Sequence, residues 1–287
     1  MKLIKGKIDS APRVLIFGPP GVGKSTWACA WPGVLALDGE DGLDQIGPVR
    51  VKMRSFDETL SDLREACAGG GEHRTVVIDT LDSLERRAVR AVCAKGPKGK
   101  PVDSLADFGY GDGFTALVGR WRELQAILES ARDRDRAVVM TAHMRIETIE
   151  DPVHGKHGAW VPQLDKRISG IMIQWSDAVL HAHHEAGLVD GRLNLTGERK
   201  LITSAKTGVA AKNRWGLPDV LPLDYAAFAG ARVAGTRAVE DITQSILALA
   251  KCADALDKAA EYINAAGADR AALLDIEKAL QTKLEAT

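Results

Sequence analysis

The feature that most constrains this chain is a glycine-rich segment that follows a short apolar run. Residues 18–25 read Gly-Pro-Pro-Gly-Val-Gly-Lys-Ser, which fits G-x-x-x-x-G-K-[ST], and they come directly after Val14–Phe17. An apolar strand, a glycine-rich turn and a helix that begins at the lysine form a phosphate-binding loop, because the amides of the turn and the helix N-terminus face one anion. The sequence therefore predicts a strand, a tight turn and a helix in this order.

The motif also predicts what its residues bind. The backbone amides should hold the phosphates, the Lys24 ammonium should reach the β- and γ-phosphates, and the Ser25 hydroxyl should bind Mg²⁺. We therefore expect ATP and Mg²⁺ as cofactors. The residues predicted to contact the nucleotide at this loop are Gly18, Pro19, Pro20, Gly21, Val22, Gly23, Lys24, Ser25 and Thr26.

A second apolar run, Thr75–Asp79, ends in a carboxylate. A strand with this ending places an aspartate at the carboxyl edge of a sheet, beside the metal of a phosphate loop. Asp79 is therefore predicted to be a nucleotide-site residue and a Mg²⁺ ligand. The alternative is that Asp79 caps the next helix, a position for which Asp82 also competes.

Short apolar runs alternate with amphipathic stretches from Arg13 onward, the pattern of strands and helices around a buried parallel sheet. The predicted strands are Val14–Phe17, Val34–Leu37, Thr75–Asp79 and Ala137–Thr141. The predicted helices lie near Lys24–Trp31, Asp57–Ala68, Leu81–Ala94 and Thr115–Arg132. With 45% hydrophobic and 27% charged residues, the composition excludes collagen-like and wholly disordered chains. The predicted class is α/β.

Two long segments interrupt the alternation. Lys95–Gly113 and His143–Leu164 are rich in glycine, proline and charge, and both are predicted to be long loops. The dipeptide Asp190-Gly191 favours a hairpin turn, so the mainly parallel sheet should end with antiparallel strands. The strands predicted in that part are Asp177–Glu185, Leu188–Leu195 and Lys200–Ser204.

The last part of the chain has a different composition. From Arg237 the sequence is rich in alanine and leucine at helical spacing, contains no proline, and is interrupted at Gly267. We therefore predict two domains, a core over residues 1–235 and a small C-terminal helical region over residues 236–287.

Charge and cysteine content limit the partners and the compartment. The formal net charge is −1, so a nucleic acid or an anionic membrane would have to be bound by a local patch rather than by the overall field. The four cysteines form no Cys-x-x-Cys pair, and no run of about 18 apolar residues is present. The sequence therefore predicts a cytoplasmic protein with no membrane partner.

A third motif carries a family resemblance. The run Val34–Leu37 leads into Asp38-Gly39-Glu40-Asp41-Gly42-Leu43-Asp44, which resembles the strand-end Asp-Ala-Glu-x-Ala-Leu-Asp signature of the RecA recombinase family. The resemblance implies that Glu40 is catalytic and activates the attacking water, with Asp38, Leu43 and Asp44 at flanking positions. The alternative is an acidic turn exposed to solvent.

Lys212-Asn213-Arg214-Trp215-Gly216 is similar to the Lys-Asn-Arg-Phe-Gly motif of RadA-type proteins and to a basic motif of DnaB-type helicases. In those families the basic residues act across a subunit boundary on the γ-phosphate of a neighbour. The resemblance implies that Lys212 and Arg214 are catalytic in a homo-oligomer, since a guanidinium can neutralise charge on the transferred phosphoryl group. A basic surface turn is the alternative.

Over its whole core the chain resembles compact RecA-like ATPases of bacteriophages, the Sak-type single-strand annealing group. This resemblance implies a RecA-like P-loop NTPase core that handles single-stranded DNA in recombination. It also implies a polar γ-phosphate sensor, here Thr141 or His143; the alternative for His143 is a buried imidazole bonded to a backbone carbonyl. The aromatic residues that could stack on DNA bases are Phe108, Tyr110, Phe114 and Trp160.

The predicted function is thus a Mg²⁺-dependent ATPase that acts on single-stranded DNA as a homo-oligomer, in a ring or a filament. The C-terminal helices would modulate assembly or recruit a partner such as a single-strand-binding protein. Two alternatives remain open, a helicase-loader-like protein in which ATP only switches conformation and a small-molecule P-loop kinase.

Overall fold

The structure of the chain is a computed structural model. The residues that the structure describes are 10–68, 72–152, 155–189, 192–206, 208–237, 239–252, 255–267 and 269–285. The chain divides into two compact units, which we call the core unit, Met1–Phe228, and the C-terminal unit, Ala229–Thr287.

The core unit is built on one large mixed sheet. Its strands are β1 (Arg13–Phe17), β2 (Val34–Asp38), β3 (Val49–Lys52), β4 (Thr75–Asp79), β5 (Ala137–Ala142), β8 (Ala178–Val189), β9 (Arg192–Ile202), β10 (Lys212–Asn213) and β11 (Val220–Pro222). The order is β11-β9-β8-β1-β5-β4-β2-β3, and β10 pairs with β8. The strands from β8 to β3 are parallel, whereas β9, β10 and β11 pair in antiparallel fashion. The predicted α/β class and the antiparallel end of the sheet are confirmed.

Helices connect these strands and form the C-terminal unit. They are α1 (Lys24–Cys29), α2 (Phe56–Ala68), α3 (Leu81–Lys95), α4 (Asp112–Arg132), α5 (Lys166–Trp175), α6 (Tyr225–Thr236), α7 (Val239–Cys252), α8 (Leu256–Ala266) and α9 (Arg270–Glu285). Two short 3-10 helices, Pro97–Gly99 and Leu105–Phe108, lie in the segment that was predicted to be the first long loop. No helix in the described ranges combines the length and the apolarity needed to cross a membrane.

The central strands read as continuous apolar runs because they are buried on both faces. Every residue of β1, β2, β4 and β5 is buried, as expected for parallel strands covered by helices. The core between the sheet and α2, α3 and α4 includes Phe17, Phe56 and Trp121, all fully buried. This packing fixes the ends of the strands, which carry the candidate site.

The segment His143–Leu164 is not a loop, and this prediction was wrong. It forms an antiparallel hairpin of β6 (Met144–Asp151) and β7 (Gly155–Pro162), which make a separate two-stranded sheet. The sequence of this segment does not show the alternation typical of a strand, because both strands are largely exposed and carry no clear apolar face. We call this element the 144–162 hairpin.

The antiparallel end also differs in detail from its prediction. The first two residues of the predicted strand Leu188–Leu195 belong to β8, which ends at Val189. The described rest of that prediction and the predicted strand Lys200–Ser204 fall in one strand, β9, which ends at Ile202 and pairs with β8 except at an irregularity between His184 and Ala186. The predicted turn at Asp190-Gly191 lies outside the described residues. A further strand, β3, is not among the predicted strands; it is short, partly exposed and lies beside β2.

The C-terminal unit has its own small core. Ile242 and Ile246 of α7, Ala259 of α8 and Leu273 of α9 are buried together, as the helical spacing predicted. Gly267 follows the last residue of α8 with φ +56°, a left-handed conformation that glycine adopts without a Cβ penalty.

Candidate nucleotide-binding site

The predicted site residues follow strands that end at the same edge of the sheet. Phe17 of β1 is in register with Ala142 of β5, and Asp38 of β2 is in register with Asp79 of β4. Because parallel strands present their carboxyl ends together, the phosphate loop, the end of β5, Asp79 and the turn after β2 all lie along this edge. The structure therefore brings together residues that are up to about 120 positions apart in the sequence.

The phosphate loop requires glycine where the motif has it. Gly21 and Gly23 have φ of +74° and +106°, a region that residues with a Cβ rarely adopt. A Cβ at Gly18 would lie 2.2 Å from the backbone oxygen of Ala182. The loop thus has the backbone of a phosphate cradle and leads directly into α1.

Lys24 is buried and lies across the loop. Its Nζ donates to the backbone oxygens of Gly18 at 3.0 Å and Pro19 at 2.8 Å. Burial lowers the pKa of Lys24, although the negative charges of Asp79, Asp82 and Glu40 oppose this shift. The ammonium is therefore held inside the loop and next to three carboxylates.

Asp79 has the properties expected of a Mg²⁺ ligand. It is buried, and burial raises its pKa, while hydrogen bonds from Thr141 and Ser25 act in the opposite direction. The Thr141 hydroxyl donates to Asp79 Oδ1. A hydroxyl and a carboxylate beside a phosphate site are a donor set that fits Mg²⁺, which prefers oxygen ligands and phosphates. The structure thus brings Ser25 and Asp79 together at this edge of the sheet.

Neither aspartate proposed as a helix cap is the N-cap of α3. Thr80 is the N-cap of α3, and its Oγ1 accepts a hydrogen bond from the Ser83 amide at 3.2 Å. Asp79 is therefore not the cap, and neither is Asp82, which lies inside the first turn of the helix. The capping alternative for these aspartates is wrong.

The turn after β2 places Glu40 beside Asp79. The Gly39 amide donates to the backbone oxygen of Asp79 at 2.7 Å, and a Cβ at Gly39 would lie 2.1 Å from Ser83 Oγ. Glu40 Oε1 accepts hydrogen bonds from Thr80 Oγ1 at 3.3 Å and from Arg86 Nη2 at 2.8 Å. Glu40 is thus bonded within the site rather than being a freely solvated acid.

The two candidate sensor residues at the end of β5 both contact carboxylates. Thr141 bonds Asp79, as described above. The His143 amide donates to Asp82 Oδ1 at 3.0 Å, and His143 Nδ1 lies 2.9 Å from Asp82 Oδ2. Burial raises the pKa of Asp82, but its bonds to His143 outweigh burial and lower it overall. The sequence indicates Asp82 only as a candidate helix cap and does not predict this contact.

Arg199 is a further residue at the phosphate loop and is not among the predicted site residues. Its Nη1 donates to the Val22 backbone oxygen at 3.3 Å and would lie 2.7 Å from a Cβ at Gly23. The Arg199 backbone oxygen accepts from the amide of Leu223, the residue after β11, at 2.9 Å, and this bond anchors Arg199. No local motif marks Arg199, because the register of β8 and β9 brings it to the loop.

We expect Arg199→Ala to weaken nucleotide binding about 5-fold, which corresponds to one hydrogen bond of about 1 kcal/mol. The guanidinium holds the Val22 carbonyl and thereby the orientation of the adjacent loop amides. Titration with a fluorescent ADP analogue measures the dissociation constant, and Arg122→Ala, an exposed position on α4, is the matched control. Equal affinities in the Arg199 and Arg122 variants would contradict this role.

The predicted residues Lys212 and Arg214 lie away from the phosphate loop of their own chain. Lys212 Nζ donates to the backbone oxygens of Ile173 at 3.0 Å and Gln174 at 2.6 Å, at the C-terminal end of α5. Arg214 Nη1 lies 3.3 Å from Asp177 Oδ1, and Asp177 precedes β8. The structure therefore does not bring these two residues to this site.

The aromatic residues considered for DNA stacking fall into two groups. Phe108 and Phe114 pack partly buried against the core, and the Arg167 guanidinium lies 4.5 Å from the centre of the Phe114 ring. Tyr110 is fully exposed, and Trp160 of the 144–162 hairpin is 40% exposed. Tyr110 and Trp160 are thus the members of the set with accessible rings.

The family of the chain is shown by a comparison with known domains. A family model described as an AAA domain matches residues 10–215, which include the phosphate loop, Glu40, Asp79 and the basic motif as far as Trp215. No curated protein matches the sequence. The match indicates a P-loop ATPase-like domain, while the narrower resemblance to the Sak-type group stays a prediction. With its phosphate loop and this match over most of its length, the chain belongs to the AAA domain family.

Proposed function

We propose that this protein hydrolyses ATP with Mg²⁺ and acts on single-stranded DNA, in recombination or annealing, as a homo-oligomer. The observation that carries the ATPase part is the sheet edge at which Lys24, Ser25, Asp79 and Glu40 converge. This edge combines a phosphate cradle, an oxygen donor set for Mg²⁺ and a carboxylate that is able to orient water.

Each residue of the site has a separate role in hydrolysis. The loop amides and Lys24 hold the phosphates, and Ser25 and Asp79 hold Mg²⁺, which neutralises charge on the phosphate oxygens when it is bound. Glu40 is held through Oε1 by Thr80 and Arg86. Oε2 is then available to accept a proton from the attacking water and to align it with the γ-phosphorus.

The oligomer is supported by the position of the basic motif. Arg214 lies beside the start of β8, near Arg13 at the start of β1, whereas the phosphate loop follows Phe17 at the other end of that strand. The ends of a five-residue strand lie roughly 13 Å apart. Arg214 is half exposed, so it is available to the nucleotide of a second copy and not to its own.

The single-stranded DNA part rests on the surface next to the β5 end. The 144–162 hairpin begins directly after His143, and it carries the paired residues Ile146 and Trp160, which are 71% and 40% exposed. Single-strand binding uses aromatic platforms beside cations, and the exposed Lys156 lies on β7 of the same hairpin. A base stacked on Trp160 would thus lie on an element that starts at the nucleotide site.

Steady-state ATPase assays with and without single-stranded poly(dT) test the proposal. We expect DNA to stimulate wild-type ATP turnover, and we expect Arg214→Ala and Lys24→Met each to lose ATPase activity. Because Arg214→Ala has an intact phosphate loop and Lys24→Met an intact Arg214, an equimolar mixture should regain part of the activity in mixed oligomers. Arg122→Ala is the control for a lost surface guanidinium.

Each part of the proposal has its own contradicting result. If the mixture is as inactive as its components while Arg214→Ala alone is inactive, the arginine does not act across a subunit boundary. If poly(dT) neither binds nor stimulates, the DNA part is wrong and the ATPase part stands. If DNA binds and anneals equally well in a hydrolysis-deficient Glu40→Gln variant, ATP acts only as a conformational switch.

A further inference from the structure

Arg86 is a residue of the site that no motif marks. It lies on α3, and its Nη2 donates to Glu40 Oε1 at 2.8 Å while its Nη1 lies 3.3 Å from Asp82 Oδ2. Asp82 and Arg86 are one helical turn apart, a spacing at which the two side chains meet on one face of the helix. Arg86 therefore links the predicted water-activating carboxylate to a second carboxylate on the same helix.

Asp82 in turn is fixed from the end of β5. It receives the His143 amide on Oδ1 and contacts His143 Nδ1 through Oδ2, and its side chain is only 4% exposed. One ligand atom from each of Glu40, Asp82 and His143 lies within 4.8 Å of the others. A continuous chain of contacts thus runs from His143, the residue before the 144–162 hairpin, through Asp82 and Arg86 to Glu40.

We propose that Arg86 is a positioning residue that fixes Glu40 for hydrolysis, and that Asp82, held by His143, anchors Arg86. The inference rests on the proposed function, because it requires Glu40 to orient the attacking water. Thr80 and Arg86 occupy Oε1 from two directions, which restricts rotation of the carboxylate and leaves Oε2 in one orientation. Contacts of this kind matter because a base must lie within hydrogen-bond reach of its proton.

The role of Arg86 is separable from stability. Its side chain is 53% exposed and that of Glu40 is 35% exposed, and ion pairs at such exposure contribute little to folding. Arg86 variants should therefore fold normally, so that a kinetic effect reports the position of Glu40 rather than a loss of structure. Arg90, an exposed arginine one turn further along α3, provides a matched control.

The test is steady-state ATPase kinetics of full-length Arg86→Ala, Arg86→Lys and Arg90→Ala. We expect Arg86→Ala to lower kcat about 10-fold, a fraction of the 10²–10⁴-fold that a positioned acid–base group contributes. KM and ADP affinity should not change, Arg86→Lys should recover part of kcat, and Arg90→Ala should behave as wild type. An unchanged or increased kcat in Arg86→Ala would overturn the inference.

Two double variants test whether Arg86 acts through Glu40. Single-turnover assays should give Glu40→Gln and Glu40→Gln/Arg86→Ala the same rate, since Arg86 has no carboxylate to hold in that background. Asp82→Asn alone should lower kcat less than Arg86→Ala does. The double variant Asp82→Asn/Arg86→Ala should have the same kcat as Arg86→Ala, because the effects of residues in one network are not additive. Additive losses in the first pair would mean that Arg86 acts independently of Glu40, and the inference would be wrong.

The outcomes separate this inference from the proposed function. If Glu40→Gln retains the wild-type kcat, the role of Glu40 is wrong and the inference is overturned with it. If Glu40→Gln is inactive and Arg86→Ala is fully active, the proposed function stands and only the role of Arg86 is overturned.

Discussion

Replacing Lys24 with methionine is expected to lower kcat for ATP hydrolysis at least about 100-fold, the loss typical for removal of one transition-state donor. The Lys24 ammonium lies inside the phosphate loop, bonded to the backbone oxygens of Gly18 and Pro19. A γ-phosphate in the loop would replace these carbonyls as its partner, and charge on the transferred group would be neutralised there. Methionine keeps the buried stem and removes only the charge.

The fold should survive this change. Lys24 is buried, and burial disfavours its charge, as the lowered pKa indicates. Exchanging the ammonium for an apolar end of similar length therefore removes a desolvation cost along with two hydrogen bonds. We expect an unchanged circular dichroism spectrum and a melting temperature close to that of wild type.

An enzyme-coupled assay of phosphate release measures kcat, and a nucleotide titration measures binding. Lys258→Met, at an exposed position of α8 in the C-terminal unit, is the control for loss of one lysine and should hydrolyse ATP as wild type does. If Lys24→Met retained hydrolysis within about threefold of wild type, against the 100-fold or more expected from a lost donor, the phosphate loop would not be the hydrolytic site.

The parts of the site that the sequence predicted are those whose geometry follows from local chain order. A strand, a glycine-rich turn and a helix that begins at Lys24 leave the backbone little choice, and Gly21 and Gly23 have the positive φ that the turn needs. Asp79 was predictable in the same way, because a buried strand that ends in a carboxylate delivers it to the sheet edge.

The parts that could not be predicted depend on contacts between distant segments. Arg199 reaches Val22 only because β9 lies beside β8 and β8 beside β1. In the sequence, Asp82 and Arg86 are ordinary charges on an amphipathic helix. Their roles depend on tertiary contacts, since the turn after β2 brings Glu40 to Arg86 and the end of β5 brings His143 to Asp82. No periodicity in the sequence encodes these contacts.

The basic motif shows how a resemblance can be specific about residues and still leave their partner open. Similarity to RadA-type proteins singled out Lys212 and Arg214, and one chain places them at the edge opposite its phosphate loop. Within the chain, Lys212 binds carbonyls at the end of α5 and Arg214 contacts Asp177. Arg214 can contact Asp177 and also act on a neighbouring subunit only if its guanidinium stays accessible. The half exposure of its side chain allows this.

The buried ion pair beside Arg214 gives the largest expected effect on stability. Asp177 accepts from Arg13 Nη2 at 2.7 Å and from Arg13 Nε at 3.2 Å, and both residues are buried. Removing one partner of a buried pair typically costs about 3–5 kcal/mol, because the other charge is left uncompensated. Glu129 Oε1 still accepts from Arg13 at 3.1 Å. For Asp177→Asn we therefore expect the lower end of the range, about 3 kcal/mol.

Urea denaturation followed by tryptophan fluorescence measures this loss. All six tryptophans belong to the core unit, so the signal reports unfolding of that unit. The control is Asp57→Asn, since Asp57 pairs with Arg120 but is 73% exposed; a pair at such exposure contributes less than about 1 kcal/mol. Equal midpoints for the two variants would show that the Arg13–Asp177 pair does not stabilise the fold.

The pH dependence of stability tests whether the charge of Asp177 causes this loss. Burial raises the pKa of Asp177, but hydrogen bonds and charge from Arg13 outweigh burial and lower it overall. A carboxyl whose pKa is lower in the folded state stabilises the protein above its unfolded pKa of about 3.9 and loses this contribution as the pH falls through the folded value. The difference between wild type and Asp177→Asn should therefore be complete at pH 7 and shrink below about pH 4. A difference that stays constant down to pH 3 would mean that the lost stability comes from packing and not from the ion pair.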